Sequence, residues 1–386
     1  PITVGGGADH PPQALSWVGR ENELREMLSS HARVIAITGL GGNGKSTLAA
    51  KYLEFKKSAE EIAFWCWADC KEEGNTLRTQ LVRMVERISR SSIRGEQIRE
   101  AKTDEVIEIL FNLIGHTRAI IVFDNIDQYV DVEECKAVNT MSTLVDRALQ
   151  SDHLAQFVFT GRPRLDYGGE EFLQLQLDGL TVEDTRRLFE VTGAKIDPVN
   201  ATQKIVEAHR LTLGHPLALN LIATQVAKNK TDLDHLLTKL QNGVDAGIEN
   251  PIIPNIWDTL NAKQQTVLRY LAELAHPETE QRVANYLGNA LNFNQFSKSV
   301  KALKALNLVV VKSPGDEHPD TLELHPLIRD FIRRRFQREE RTPYIDSIIH
   351  FCDRMISKFR KTVLNESYDV LENWTSKVEL CLESNR

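Results

Sequence analysis

The sequence predicts an α/β domain on a parallel sheet, then a small helical domain, a three-helix unit with a β-ribbon, and a helical C-terminal segment. Three observations carry that reading. Short apolar runs rich in β-branched residues alternate with amphipathic stretches over 34–151. The strand runs stop after LQLDGL (175–180), and four stretches of helical period follow. Two short apolar runs return only at 308–311 and 321–324, behind three more helical stretches.

The first fifteen residues are rich in Gly and Pro and read as a linker (1–15), not a core element. They lack the basic end and apolar core of a signal peptide, and without an initiator Met they read as cut from something longer. RVIAIT (33–38), EIAFWCW (61–67), RAIIVFD (118–124) and AQFVFTG (155–161) are the expected strands. Their unbroken apolar character suits strands buried on both faces of a parallel sheet. Helices are expected over 44–57, 75–90, 96–115 and 139–150, with right-handed crossovers, completing a domain over 16–178.

Helical periods at 181–192, 200–213, 216–229 and 232–243 make up a domain over 179–250. Pro216 stands where a helix begins and has no need of its own N–H. DAGIENPIIPN (245–255), with two prolines, reads as a linker. Helices over 261–275, 278–287 and 294–306, then LVVV (308–311) and TLEL (321–324) joined by SPGDEHPD, form the pattern of a winged helix within 251–340. Residues 341–386 begin a further helical region, and no internal repeat is evident.

The 386 residues correspond to roughly two to four folding units. A net charge of −7 argues against a protein that coats nucleic acid. No apolar run approaches the ~18 residues of a membrane span. Cys66, Cys70, Cys135, Cys352 and Cys381 are scattered and odd in number, as expected of reduced cysteines in a cytoplasmic protein.

GLGGNGKS (39–46) follows the apolar strand VIAIT and opens the helix KSTLAAKYLEF. A strand before and a helix after give G-x-x-x-x-G-K-[ST] its meaning as a P-loop. Gly39, Gly41, Gly42 and Gly44 let backbone N–H groups curl around phosphate oxygens, and the helix N-terminus adds partial positive charge. Lys45 reaches the β- and γ-phosphates, and the Ser46 hydroxyl ligates Mg²⁺. The expected fold is therefore an α/β P-loop NTPase domain binding ATP or ADP.

IIVFDNID (120–127) ends a strand in an acid at the edge where ligands of open α/β sheets bind. Asp124 is expected to hold Mg²⁺, directly or through water. Asp127 is the candidate for orienting a water, because the amide of Asn125 cannot accept a proton. FTGRPR (159–164) closes the next strand, and Arg162, nearer the strand end than Arg164, is the candidate sensor of the γ-phosphate. Each also has a plain reading: Asp124 as a solvated strand-end acid, Arg162 as a surface arginine before a turn-forming proline.

With these motifs the chain resembles the STAND class of signal-transduction ATPases in its NB-ARC-like branch, over about residues 16–340. That branch includes plant disease-resistance proteins, apoptotic scaffold ATPases and bacterial regulators. WVGRENEL (17–24) is similar to the family's entry motif, which implies Val18, Gly19 and Arg20 beside the adenine. GLGGNGKST matches the glycine-rich P-loop, including Asn43 and Thr47 among the binding positions. FDNID departs from the usual pair of adjacent acids, which implies slow hydrolysis. GHPLAL (214–219) resembles the Gly-x-Pro motif, with Pro216 against the adenine. LELHPLIRDF (322–331) resembles the winged-helix motif whose His, here His325, contacts the β-phosphate of ADP, although Pro326 replaces the more frequent neighbour. A lone His at a strand-to-helix junction is otherwise a structural residue.

The resemblance implies a switch that is closed with ADP, opens with ATP and Mg²⁺, and self-associates into a ring-like or higher oligomer in signalling or defence. Effector and sensor domains would lie upstream or downstream. Lys298, Lys301 and Lys304 share a helix face that could enter a DNA groove or be simply solvated, so nucleic acid is not the expected partner. The competing expectations are a replication-initiator AAA+ ATPase and a STAND-type transcriptional regulator.

Overall fold

The computed structural model describes residues 4–5, 10–13, 17–59, 61–70, 77–228, 232–245, 252–274, 276–288, 290–312, 319–359, 378 and 381. The chain divides into two compact units, Pro1–Asp178 and Gly179–Arg386.

In the first unit the elements run β1 (Val4–Gly5), α1 (Glu21–Ser29), β2 (Val34–Gly39), α2 (Lys45–Ser58), β3 (Phe64–Asp69) and α3 (Leu77–Ile88). They continue with α4 (Thr103–Ile114), β4 (Ala119–Asp124), β5 (Val130–Asp131), β6 (Lys136–Ala137), α5 (Asn139–Gln150), β7 (Gln156–Gly161) and β8 (Phe172–Leu177). Six strands form one sheet in the order β1-β3-β4-β7-β2-β8, with every neighbouring pair parallel. β5 and β6 make a separate antiparallel hairpin.

Successive side chains on a strand face opposite ways, and both faces of this sheet are covered. On one face Ile35, Ile37, Trp67, Ile120, Val122 and Val158 pack with Leu48 and Tyr52 of α2 and Met27 of α1. On the other, Ala36, Ile121, Phe123, Phe157 and Phe159 pack with Leu81 of α3, Leu110 of α4 and Leu144 of α5. Phe123 and Phe159 stack with ring centroids 5.4 Å apart. Each such buried ring contributes ~1.5–3 kcal/mol, enough for a few of them to hold the central strands in register.

The second unit opens with α6 (Val182–Thr192), α7 (Ala201–Thr212), α8 (Pro216–Ala227) and α9 (Leu233–Asp245). It continues with α10 (Ile252–Thr259), α11 (Ala262–Ala272), β9 (Glu278–Thr279), α12 (Glu280–Leu287), α13 (Phe293–Ala305), β10 (Val309–Lys312), β11 (Thr321–Leu324), α14 (Pro326–Arg335) and α15 (Arg338–Phe359). Side-chain caps set several starts: Thr181 accepts from Asp184 N at 3.0 Å, Asn261 from Gln264 N at 3.0 Å and Asn292 from Gln295 N at 2.9 Å. Between β10, β11 and α14, Lys312 Nζ lies 3.0 Å from Glu323 Oε2, and Arg329 Nη2 lies 3.9 Å from Glu323 Oε1. All three side chains are at most 9% exposed, so this is a buried ion cluster.

Several expectations are corrected. Val4–Gly5 pairs with Phe64–Trp65, so the first fifteen residues include an edge strand of the sheet. The strand expected at 61–67 runs from Phe64 to Asp69, which puts an acid at its end. The helix expected over 96–115 is a 3₁₀ turn at Gly95–Ile98 followed by α4. The chain is extended at Lys102, whose N–H is accepted by Glu105 Oε2 at 3.1 Å, and α4 starts afresh there. The last four residues of the proline-rich stretch 245–255 belong to α10, in which Ile253, Ile256 and Trp257 are buried. Pro254 lies in its first turn, where no backbone N–H has an intrahelical partner. The ribbon has a third strand, giving an antiparallel sheet ordered β10-β11-β9. Most of the connection 313–320, and the expected helical tail beyond Phe359 apart from positions 378 and 381, lie outside the described residues. Among the described residues, no helix is long and apolar enough to cross a membrane.

Candidate nucleotide-binding site

The P-loop follows β2, the strand next to one edge of the sheet, between β7 and the edge strand β8. Gly39, Gly42 and Gly44 have φ of 141°, 85° and 87°. At Gly39 a Cβ would stand 2.5 Å from Leu177 O, so the loop leaves β2 against the β8 backbone where only glycine fits. Gly44 caps α2 in the left-handed region, so the first N–H groups of α2 carry no side-chain cap and remain at the loop.

Asn43 is buried and its Nδ2 donates to Leu177 O at 2.8 Å, which pins the loop tip to β8. Arg20 follows Gly19, both with positive φ, and holds the entry segment to this loop. Its Nη1 donates to Glu23 Oε1 at 2.9 Å, and its Nη2 donates to Asn43 O at 3.2 Å and to Asp178 O. Arg20 Nε is buried without a hydrogen bond among the described residues. Val18 is buried beside them, Gly41 sits in the loop, and Thr47 lies half-buried in the first turn of α2.

Lys45 is 8% exposed, and its ammonium donates to Gly39 O at 2.9 Å and Leu40 O at 3.0 Å. Burial pulls this lysine below its ordinary pKa, while the carboxylates of Asp127 and Asp124 oppose the shift. The geometry therefore holds a charged donor inside the curl of the loop, with acids nearby to keep it protonated.

Ser46 Oγ donates to Asp124 Oδ1 at 2.7 Å. Thr160, at the end of β7, donates its hydroxyl to the same oxygen and accepts Asn125 N–H at 3.1 Å. Asp124 thus sits at the strand edge with two hydroxyls on one oxygen, joined through Thr160 to the intervening strand. Asp127 accepts the Arg162 N–H at 2.7 Å, and its Oδ2 lies 3.4 Å from Arg162 Nε. The structure therefore pairs the candidate for orienting a water, Asp127, with the candidate γ-phosphate sensor, Arg162.

Two groups at this edge were not named from the sequence. Thr160 was covered only as a polar residue of FTGRPR. Asp69 ends β3 opposite Asp124 in the ladder, and Asn125 Nδ2 donates to its Oδ1 at 3.0 Å. The signal was present, since FWCWAD ends an apolar strand on an acid as IIVFD does.

The donor set fits a hard cation. A serine hydroxyl and a carboxylate within 2.7 Å of each other are oxygen ligands of the kind Mg²⁺ takes, usually one or two from protein with phosphates and waters completing the shell. Ser46 and Asp124 would hold it, and bound there it would neutralise charge on the β- and γ-oxygens.

In the second unit, Pro216 is the first residue of α8. His215 caps that helix, its Nδ1 accepting Ala218 N–H at 3.3 Å. Gly214 has φ of 69°, and a Cβ there would collide with Leu180 O. His325 caps α14 in the same manner, Nδ1 accepting Leu327 N–H at 3.3 Å with Pro326 at the first helical position. The tripeptide His-Pro-Leu is used twice as a helix start, and in both rings Nδ1 is the acceptor.

Residues 26–167 match the family model of an AAA domain. The structure of a STAND protein with a tetratricopeptide-repeat sensor from Pyrococcus horikoshii aligns with 98% of this chain at a TM-score of 0.66 and 17% identity. The chain has the fold of a STAND-class ATPase. It spans 49% of that solved STAND chain. A probable disease resistance protein of Arabidopsis thaliana is 28% identical over 115 residues, which is 28% of this chain and 13% of the plant protein. A structure of Drosophila ORC bound to DNA also matches, at 12% identity and a TM-score of 0.42 over 83% of this chain and 87% of that one. The chain thus carries a P-loop α/β unit, matched over residues 26–167 by the AAA model, and a largely helical second unit.

Proposed function

We propose that the chain is the nucleotide-operated part of a signalling switch. It holds ADP when closed and ATP with Mg²⁺ when active, hydrolyses ATP slowly, and drives self-association in a cytoplasmic signalling or defence protein. The observation that carries this reading is the Ser46–Asp124 hydrogen bond beside the buried Lys45, which gathers a metal-ligating pair and a cation at one glycine loop.

The loop amides and Lys45 would take the phosphates, Ser46 and Asp124 the magnesium. Val18, Gly19, Arg20 and Pro216 would flank the adenine, and His325 would meet the β-phosphate of ADP from a winged helix made by α11–α13 and the three-stranded sheet. These roles rest on motif order. Asp127 and Arg162 would part when a γ-phosphate draws the guanidinium, and Asp127 would then orient water. The domain limits 16–178, 179–250, 251–340 and 341–386, with effector and sensor domains in a longer protein, belong to the same proposal.

Acid extraction and chromatography of the purified protein are expected to release ADP or ATP. Lys45→Ala should lower ATP affinity about tenfold to hundredfold, the worth of ~1.5–3 kcal/mol for hydrogen bonds to a charged group. Absence of extracted nucleotide, together with a melting temperature indifferent to millimolar MgATP, would overturn the proposal.

A further inference from the structure

β8 is the last strand of the six-stranded sheet, and among the described residues no strand pairs with its outer side. Its inner side is taken by β2 and the loop that follows. Val34 N–H donates to Glu171 O at 3.0 Å, Thr38 Oγ1 to Leu175 O at 3.4 Å and Asn43 Nδ2 to Leu177 O at 2.8 Å. The odd-numbered backbone groups of β8 therefore face β2, and those of Phe172, Gln174 and Gln176 face outward. Phe172 N–H turns back to Gly169 O at 3.4 Å. The backbone groups of Gln174 and Gln176 take no hydrogen bond among the described residues, and Gln176 is exposed. Sheets protect such an edge by brevity, charge, proline or a bulge. The opposite edge is brief, since β1 has two residues. β8 has six residues, none charged and none proline, in unbroken register with β2 from Val34↔Phe172 to Gly39↔Leu177.

The open strand is also complementary to itself. Leu173-Gln174-Leu175-Gln176-Leu177 reads the same in both directions. Run antiparallel against its own copy about Leu175, it sets leucine against leucine and glutamine against glutamine. Gln174 then stands opposite Gln176 of the second copy, both with free backbone groups, and each such pair exchanges two N–H···O=C bonds. Leu175, whose backbone groups face inward, falls on the two-fold axis as a non-hydrogen-bonded pair. The leucines lie on the face that packs with Met27 of α1 and Leu48 of α2, so the apolar layer continues across the axis. We infer that β8 is a self-pairing edge through which two copies of this chain join their sheets as an antiparallel, two-fold dimer. The inference goes beyond the nucleotide reading and does not rest on it. A two-fold contact closes at two copies, unlike the head-to-tail contacts that build rings. Six residues a side fall well short of the roughly 20–30 of a stable interface, so the dimer is weak, half-formed at about 0.1 mM. The pairing brings exposed Asp178 toward exposed Glu170 of the second copy, so salt that screens these acids tightens it.

Sedimentation equilibrium of the full chain tests this. The parent is expected to pass from monomer to dimer as its concentration rises, and to do so more readily in high salt. Gln176→Lys sets an ammonium on the open edge, diagonal to its own copy. It should raise the dimer dissociation constant at least about tenfold while melting within about two degrees of the parent. Gln176→Cys would lie roughly 7–8 Å from its own copy in this register. A short bismaleimide should capture it as a covalent dimer, at about five times or more the yield from the native cysteines of the parent, read on a denaturing gel. Lys45→Ala should dimerise as the parent does, because the pairing uses no nucleotide. A parent that stays monomeric to about 1 mM, ten times the expected midpoint, would leave the edge to an extended segment of another protein and overturn the inference. A dimer that Gln176→Lys leaves intact, in a variant that melts like the parent, would do the same, as would one from which Gln176→Cys gives no covalent product. Loss of the dimer in Lys45→Ala would assign it to a nucleotide-driven assembly and overturn the inference while supporting the nucleotide reading.

Discussion

Replacing His325 by alanine removes a helix cap as well as an imidazole, because its Nδ1 accepts the Leu327 N–H. Loss of such a cap costs about 0.5–2 kcal/mol whatever the ring does for nucleotide. Asparagine caps a helix as well as any residue, so His325→Asn separates the two roles. We expect that variant to unfold in urea within about 0.5 kcal/mol of the parent and to bind ADP about tenfold more weakly, with ATP affinity unchanged. Equal changes for both nucleotides, read by calorimetry, would leave His325 as a cap and nothing more. At Gly39 the demand is steric and independent of ligand. Gly39→Ala forces a Cβ to 2.5 Å from Leu177 O at a φ of 141° and should cost at least ~2 kcal/mol in urea unfolding without nucleotide. An unchanged midpoint would show that β8 yields at this point.

Among the elements, the buried cluster that ties β10 and β11 to α14 offers the sharpest test. Glu323 stands between Lys312 and Arg329, and Glu323→Gln would remove a buried carboxylate that faces both cations. A loss of about 3–5 kcal/mol is expected, and a loss below ~1 kcal/mol would mean that water reaches the cluster. Which elements could be read from the sequence follows from how much local pattern each carries. β2, β4 and β7 are buried on both faces, so their apolar runs stand out whatever surrounds them. β1 and β9 have two residues each and exist only because a neighbouring strand offers its edge, which leaves no local trace. α10 was hidden by its proline, because a proline in the first turn and a proline in a linker look alike until the apolar face behind it is known. The site divides in the same manner. Lys45, Ser46 and Asp124 lie in contiguous motifs, and the 2.7 Å bond between Ser46 and Asp124 joins elements whose order along the chain announced them. Asp69 and Thr160 act through pairing between strands, and pairing order is not written in any one segment.

For the whole molecule, every phosphate- and metal-directed group of the loop belongs to the first compact unit. A fragment of residues 1–178 is therefore expected to bind MgATP by calorimetry, and Lys45→Ala to weaken that binding about tenfold to hundredfold. A fragment that is folded by circular dichroism yet silent would mean that the second unit supplies an indispensable share. Throwing a switch from 1% to 99% open takes ~5.5 kcal/mol of differential binding, more than the ~1–3 kcal/mol of a single histidine contact. Assembly or partner binding has to supply the difference, so the open fraction is expected to rise with protein concentration in light scattering. The position of β8 bears on how the protein is made. The loop tip at Asn43 is pinned to Leu177, 134 residues later in the chain. At ~5–20 residues per second a ribosome needs about 7–27 seconds to deliver that partner, so the glycine loop spends that interval without its wall. A nascent chain arrested before β8 would carry the complete phosphate motif and still lack the edge that shapes it, and nucleotide capture would begin only once the sixth strand has left the exit tunnel.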